Sequence, residues 1–569
     1  MKTADNHPGV QMVILAIALV VSWPVLSTAA PNGAPEKQGE YFAKKQYVPK
    51  PLPSFAEMRS QLPSPIYDDN PLLVRLYWKA WELAFRNFYE PAPQSGFVSQ
   101  FIDAAFNKNV FLWDSCFMSM FCDYAYPLVP GVSSLDNFYA KQHEDGEICR
   151  EIVRDSGNDF SEWVDHEDKP LFSRWGWPRP AENLASARNT PVIYQGREIP
   201  SPNPKVTLDA LNHPIFAWAE LEHYRLTGDK RRLEEVWPPL VHYYGALRFY
   251  LRQGSGLYIT DWGSMDNSPR NSYLKNGGTA IDTSSEMVLF ARQLNDIALI
   301  LGKDSEAREY SAQAAELAAE INEKMWDEKQ KFYFDLQLDG KPAPVMTIAA
   351  YWTLLSGVAS PEQAADLVDE LKNPQTFGRL NLAPTLAANQ KGYDPLGGYW
   401  CGSVWAATDT VIIQGLEKYG YSGLARSIAL NHLELVGRVF EKTGTIWENY
   451  SPDYVQQGKP AKGDFVGFTG IGPIMYFLEY AVGLHADAPH NRLVWQIEPG
   501  GRKGCERFRF NGHVASLIAE PTRDGSKRET IRVTSDSPFQ LEAHFQGAQK
   551  TFSVTAGEQS FDISAISPN

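Results

Sequence analysis

The feature that most constrains this chain is a recurring joint. Between about residue 70 and residue 485, long amphipathic segments run in pairs, and three pairs meet at Thr227-Gly-Asp229, Leu301-Gly-Lys-Asp304 and Tyr419-Gly-Tyr-Ser422. Glycine at such a joint ends one helix in the left-handed conformation, and Asp or Ser caps the next. Joints this short force antiparallel neighbours, so the chain reads as consecutive helical hairpins. Asn70-Pro71 opens the first helix, carried by Leu72, Leu73, Leu76, Trp78, Leu83 and Phe85 to about Phe88. Further helices are expected near 114–126, 133–143, 207–227, 229–253, 281–302, 304–327, 345–356, 360–372, 403–419, 421–440 and 470–484. Hairpins in series close into a toroid of inner and outer helices, whose long loops meet at one face and form a cleft there.

The ends of the chain have a different texture. Lys2 and His7, the apolar run Val13 to Val21 and the small residues Ser27-Thr28-Ala29 read as a signal peptide over residues 1–29, implying export to the periplasm or the medium. Pro24 interrupts the run, which is short for a membrane span, so no stable anchor is expected after cleavage. Residues 30–69 read as an extended lead-in, 70–486 as the helical domain with an irregular insertion at 155–206, and 487–569 as a β-sandwich-like antiparallel domain. In that last part Leu493–Ile497, Cys505–Phe510, Val514–Ile518, Thr530–Thr534 and Gln540–Phe545 read as strands, with Asn511-Gly512 as a hairpin turn.

A formal net charge of -15 argues against nucleic acid or an anionic membrane as partner. The aromatic residues point elsewhere, because many of the 16 Trp and 26 Tyr fall beside Gly, Asn and Asp rather than inside apolar runs, as in a carbohydrate cleft. Five cysteines, Cys116, Cys122, Cys149, Cys401 and Cys505, are too scattered for a disulfide scaffold and read mostly as small buried hydrophobes.

Two distant loops carry the chemistry. Tyr258-Ile-Thr-Asp-Trp-Gly-Ser-Met-Asp-Asn-Ser-Pro-Arg270 gathers Asp261, Trp262, Asp266, Asn267 and Arg270, and Thr443-Gly-Thr-Ile-Trp-Glu-Asn-Tyr450 sets Glu448 between Trp447 and Tyr450. Aromatic faces stack on pyranose rings, and forked polar groups bind hydroxyl pairs. Trp400 and Trp405 in a glycine-rich loop, and Trp113-Asp114 at a helix start, have the same character. Hydrolysis with inversion requires an acid for the leaving oxygen and a base for water, roughly 6.5 to 9.5 Å apart. Asp266 and Glu448 are the pair best placed for it. No cofactor is expected, although Asp261, Asp266 and Asn267 leave a structural calcium ion open.

In order and spacing, Met265-Asp-Asn-Ser-Pro-Arg270, Tyr399-Trp-Cys-Gly-Ser-Val-Trp405, Trp447-Glu-Asn-Tyr450 and Gly467-Phe-Thr-Gly470 resemble motifs of glycoside hydrolase family 63 and its trehalase-like relatives, over roughly residues 70–485. Trp113-Asp114 and Ile281-Asp-Thr-Ser-Ser-Glu286 are similar to further positions of that family. The resemblance implies a mainly α (α/α)6 barrel and an inverting exo-acting hydrolase of α-glycosidic, typically α-glucosidic, bonds in oligosaccharides. It implies Asp266 as general acid, Glu448 as general base, and Trp113, Asp114, Asn267, Arg270, Trp400 and Trp405 near the bound sugar; Trp262 and Trp447 join them from the loop chemistry. The family's amino-terminal β domain is missing, and Cys401 stands where a basic residue is usual, so substrate identity stays open. A non-catalytic glycan-binding protein and a glycoside phosphorylase remain as alternatives, and a polysaccharide lyase is disfavoured because the loops hold almost no histidine.

Overall fold

The structure, a computed structural model, describes residues 45–142, 146, 148–158, 192–194, 197–199, 213–252, 254–258, 265–274, 278–521 and 529–563. Among these residues the helical part forms six outer and inner pairs. The outer helices are α1 (Pro71–Arg86), α3 (Ser133–Ala140), α5 (Lys230–Leu251), α7 (Asp304–Met325), α9 (Pro361–Lys372) and α11 (Ser422–Thr443). The inner ones are α2 (Leu112–Cys122), α4 (Phe216–Thr227), α6 (Ile281–Leu301), α8 (Trp352–Ser356), α10 (Ala406–Lys418) and α12 (Gly472–Val482), the last wound as a π-helix. Successive inner helices touch in a ring, α10 and α12 where the Tyr476 hydroxyl donates to Ala406 O at 2.8 Å, and the ring closes from α12 back to α2. This is the toroid expected from the hairpin pattern, closed as the (α/α)6 barrel that the family resemblance implies.

Burial explains which helix goes inside. Every residue of α2, α8 and α12 is buried, as an element surrounded by other helices requires, whereas α1 buries only Leu73, Leu76, Tyr77, Ala80, Trp81, Leu83 and Ala84. Only the first of the three joints works fully as its sequence suggests; the N-caps of α7 and α11 fall on Lys303 and Tyr421, without a side-chain cap bond, and not on Asp304 and Ser422. Gly228 and Gly302 end α4 and α6 at φ 67° and 75°, and Asp229 caps α5 by accepting from the Arg232 N–H. Asn70 likewise accepts from Leu72 N–H ahead of Pro71.

The carboxy-terminal part is built of two sheets. One has the order β1–β4–β5–β6–β9, from Ser64–Tyr67, Lys503–Phe510, His513–Pro521, Glu529–Ser535 and Gly557–Asp562; the other has the order β2–β3–β7–β8, from Leu484–Asp487, Arg492–Ile497, Phe539–Phe545 and Ala548–Val554. Phe510 of one sheet meets Phe539 of the other at 5.1 Å. Two features depart from the sequence reading. The β3/β7 pair is parallel, so this part is not wholly antiparallel. Within the 30–69 lead-in, Ser64–Tyr67 is a strand that pairs with β4, more than 430 residues away, where no local pattern could reveal it. The expected signal peptide and most of the 155–206 insertion lie outside the described residues.

The two parts dock at one end of the barrel. Trp495 Nε1 donates to Val482 O at 2.9 Å at the carboxy end of α12, and Asn511 N–H donates to Leu226 O at 2.8 Å near the end of α4. The β domain therefore covers the carboxy ends of inner helices and leaves their amino ends free. All five cysteines are free thiols, four of them buried, and among the described residues no helix is long and apolar enough to cross a membrane.

Candidate active site

The amino ends of the inner helices converge, and each brings a side chain of interest. Trp113 and Asp114 open α2, His213 precedes α4, Glu286 lies early in α6, Trp352 opens α8, Trp405 is the residue before α10, and Phe468 stands just ahead of α12. The convergence also points the positive ends of the helix dipoles at one region, which suits a site built largely from carboxylates.

The 265–270 loop is held from beneath by Arg270. Its guanidinium, 0% exposed, donates to Asp282 at 2.6 and 2.9 Å and to Asp335 at 2.6 and 2.8 Å. Although burial works against its charge, Asp282 is held below the usual carboxylate range by that guanidinium. Arg270 is thus an anchor inside the protein and does not reach a sugar, which corrects the sequence reading. Its forked geometry matches two carboxylates as well as it would match a diol.

Asn267 is also redirected. Its Nδ2 donates to Gly398 O at 2.9 Å and its Oδ1 accepts from Trp400 N–H at 3.0 Å. Its amide is spent on joining the 265–270 loop to the 397–402 loop rather than on a ligand. That second loop turns through left-handed residues, including Tyr399 at φ 65°, between Gly398 at 55° and Gly402 at 147°. The unusual turn delivers the Tyr399 hydroxyl to Glu448, where it donates to Oε1 at 2.8 Å.

Glu448 is otherwise fixed by its own backbone surroundings. Its N–H donates to Lys462 O, Lys462 N–H donates to its Oε2 at 3.0 Å, and Thr469 Oγ1 donates to its carbonyl at 3.1 Å. Burial pushes its carboxyl up, the Lys462 N–H and the Tyr399 hydroxyl pull it back, and the charge of Asp266 adds to the rise. Asp266 is exposed to the cleft by surface area, yet the cleft walls exclude enough water to raise its carboxyl too; Arg150 opposes that rise and Glu151 supports it. Both carboxylates and Asp114 bear electrostatically on Tyr399, so the structure brings Asp266, Glu448 and Asp114 to one place. Asp114 is 1% exposed, its Oδ1 has no hydrogen-bond partner among the described residues, and burial pushes it up to about 8 against the pull of Arg150.

The tryptophans form a stack. Trp400 lies parallel to Trp405, with centroids 4.3 Å apart and planes 7° apart, and Trp113 faces Trp400 at 6.2 Å. Exposure falls from 7% at Trp113 to 3% at Trp400 and 1% at Trp405. Trp405 is therefore backing for Trp400 rather than a sugar platform, a third correction. Trp447 turns the other way from Glu448, as neighbours on an extended stretch do. Its indole donates to Thr443 Oγ1 at 3.1 Å and Gly463 packs on its ring, so it does not join the site. Trp262 and Asp261 lie outside the described residues, and with Asp261 goes any test of the calcium expectation.

Three participants escaped the sequence reading. Arg150 influences both Asp114 and Asp266 from a loop that carries no motif. Tyr399 stood inside a quoted motif without being chosen. His213 contacts Glu286 through Nδ1, and its ring packs against Trp113 at 4.6 Å and on Trp352 at 5.5 Å. His213-Pro214 just before a helix was the one available signal.

The model of the mannosylglycerate hydrolase MGH1-like glycoside hydrolase domain matches residues 195–464, a stretch that includes both proposed carboxylates. The chain belongs to the MGH1-like glycoside hydrolases, a group within family 63. Over 332 residues it is 30% identical to an uncharacterized protein of Borreliella burgdorferi, covering 55% of this chain and 68% of that one. It is 27% identical over 193 residues to the mannosylglycerate hydrolase of Thermus thermophilus, covering 33% of this chain and 45% of the relative. The alignment thus spans less than half of that named enzyme. Among solved structures, the Thermus thermophilus family 63 mannosylglycerate hydrolase in complex with Tris and D-glycerate superposes with a TM-score of 0.52 at 19% identity, covering 70% of this chain and 99% of that one.

The anchor role of Arg270 has a measurable consequence. Arg270→Leu leaves Asp282 and Asp335 buried without their cation, and breaking a buried pair of this kind costs about 3–5 kcal/mol. The denaturant midpoint of the variant should fall accordingly, and a midpoint equal to that of the native protein would show that the cluster is not what holds the loop.

Proposed function

We propose that this glycoside hydrolase is an exported inverting exo-glycosidase acting on small α-linked glycosides, with Asp266 as general acid and Glu448 as general base. The observation that carries the reading is the contrast between the two carboxylates. Glu448 receives two hydrogen bonds, from the Tyr399 hydroxyl and the Lys462 N–H, which favour and orient its ionised form. At Asp266 its own backbone N–H and the charge of Arg150 pull the carboxyl down, but burial by the walls of the cleft outweighs them and raises it, the condition for a carboxyl that keeps a proton to give away.

In the proposed reaction, Asp266 protonates the glycosidic oxygen as the bond to the anomeric carbon breaks. Glu448 takes a proton from a water molecule on the opposite side of the ring, and that water adds to the anomeric carbon as charge develops there. Two protons move and one water is consumed, so both carboxyls must exchange protons with solvent before the next turnover. Trp113 and the edge of Trp400 supply the aromatic boundary of the sugar position. Mannosylglycerate, named for the Thermus relative, is the first substrate to offer, followed by α-glucosides such as trehalose.

Asp266→Asn and Glu448→Gln should each lower turnover by about 10²- to 10⁴-fold while leaving sugar binding in place. The native pH profile should be bell-shaped. Its acid limb reflects the need for ionised Glu448, so rate falls as pH drops through that raised value, and its alkaline limb reflects loss of the Asp266 proton as pH rises. Because both carboxyls are raised, both limbs should lie above about pH 4, the range of free carboxylates, and they belong to the interacting pair. A variant that keeps full activity, or a profile flat from pH 4 to 9, would refute the assignment.

Export rests on the apolar run Val13 to Val21 and the small residues that follow it. Amino-terminal sequencing of the protein recovered outside the cytoplasm should begin at or beside Ala30. Recovery of the full chain from the cytoplasm alone would contradict it.

A further inference from the structure

At the end of the barrel opposite the cleft, the helical and β domains meet around a cavity of about 490 Å³. Asp123 and Tyr126, from the turn after α2, line it together with Asp229 from the α4/α5 joint and Arg509, Phe510 and His513 from the β4/β5 hairpin. None of these residues belongs to the catalytic face. The volume falls within the range of small-ligand sites, roughly 300 to 1,000 Å³.

The polar groups here are incompletely satisfied. Asp123 is 2% exposed; its Oδ1 pairs with His223 Nδ1 at 2.9 Å, and its Oδ2 finds no partner among the described residues. Arg509 donates through Nη2 to Gln61 O at 3.3 Å, while its Nε is buried and finds no acceptor among them. Behind the Tyr126 ring, which stands edge-on to His223 at 4.8 Å, His223 Nε2 is in the same condition. A buried polar group left without a partner is destabilising, so Asp123 Oδ2 and Arg509 Nε, both on residues lining one cavity, mark a place that a hydrogen-bonding occupant would stabilise.

The donor and acceptor set narrows the occupant. Asp123 Oδ2 needs a donor and Arg509 Nε needs an acceptor, and a hydroxyl supplies both. A bare anion would face Asp123 and Asp229, and a bare cation would face Arg509. Tyr126 is 36% exposed, among the described residues one of few large apolar side chains with that much open surface, and it stands at this cavity. An aromatic face beside a forked guanidinium and a carboxylate is the arrangement that holds a pyranose.

We propose that the seam between the barrel and the β domain is a second sugar-binding site, in which Tyr126 stacks on a neutral pyranose and Asp123 and Arg509 hydrogen-bond its hydroxyls. The site shares no residue with the cleft, and it stands whichever glycoside the cleft hydrolyses. It gives the β domain a function beyond covering helix ends, because Arg509 and His513 come from that domain.

The test uses the full chain carrying Glu448→Gln, so that probes are not consumed, titrated with D-mannose, D-glucose and maltotriose and followed by saturation-transfer NMR and calorimetry. The expected result is two classes of site for at least one probe. Adding Arg509→Gln or Tyr126→Ala should weaken one class tenfold or more, and adding Trp113→Ala should weaken the other. In the otherwise native chain, Arg509→Gln and Tyr126→Ala should leave hydrolysis unchanged, with melting curves confirming that each variant is folded. No binding, a single class abolished by Trp113→Ala, or two classes untouched by both seam variants would each overturn the proposal. Seam binding that persists in a protein found to have no hydrolase activity would sink the proposed reaction and leave this site standing.

Discussion

One buried guanidinium governs the geometry of the catalytic face. Arg270 sits between Asp282 at the start of α6 and Asp335 beyond α7, with four hydrogen bonds and no exposure to solvent. Four residues earlier in the chain stands Asp266, the proposed acid, and three residues earlier stands Asn267, whose amide joins this loop to the one that carries Tyr399. Tyr399 in turn donates to Glu448, the proposed base. The two carboxylates, 182 positions apart in sequence, are thus linked through the interior by one ion cluster, one amide bridge and one hydroxyl. A pair of loops left to pack by shape alone would not hold reacting groups within the fraction of an ångström that catalysis requires.

The barrel makes that linkage work by dividing its two ends. Amino ends of inner helices collect Trp113, Asp114, Glu286, Trp352 and Trp405, while carboxy ends of α4 and α12 receive the β domain. Their partial positive charges favour a cluster of acids at one end, and the docking of β2 to β5 stiffens the other. Within the acid cluster the cleft raises both carboxyls, although Asp266 has the more open surface, and hydrogen bonding separates them. Glu448 accepts from the Tyr399 hydroxyl and the Lys462 N–H, whereas at Asp266 burial outweighs its own backbone N–H and the charge of Arg150, and the proposed base and acid roles rest on that contrast.

The fold was legible because its signals are local. Glycine followed by Asp or Ser at a joint needs only a few residues to read, and Gly228, Gly302 and Asp229 adopt the conformations such joints demand. Strand Ser64–Tyr67 was not legible, since its partner Lys503–Tyr67 register is set by contacts more than 430 residues apart, and the parallel β3/β7 pair depends on the same kind of distant packing. At the site, residue types were readable and directions were not. Arg270 offers the same fork to a sugar diol as to two buried carboxylates, Asn267 serves a backbone as readily as a hydroxyl, and Trp405 differs from Trp400 only in which of the two lies behind. Arg150 has neither motif nor periodicity to announce it, and only the folded chain puts its charge beside Asp114 and Asp266.

The measurement that bears most directly on this account is the configuration of the sugar at the moment of release. Proton NMR of the native protein hydrolysing mannosylglycerate or an α-glucoside, recorded before mutarotation mixes the products, should show the β-anomer first, because water activated by Glu448 attacks the face opposite the one that Asp266 protonates. Initial release of the α-anomer would mean that the two carboxyls act through a covalent intermediate, and the acid and base roles assigned to Asp266 and Glu448 would be wrong.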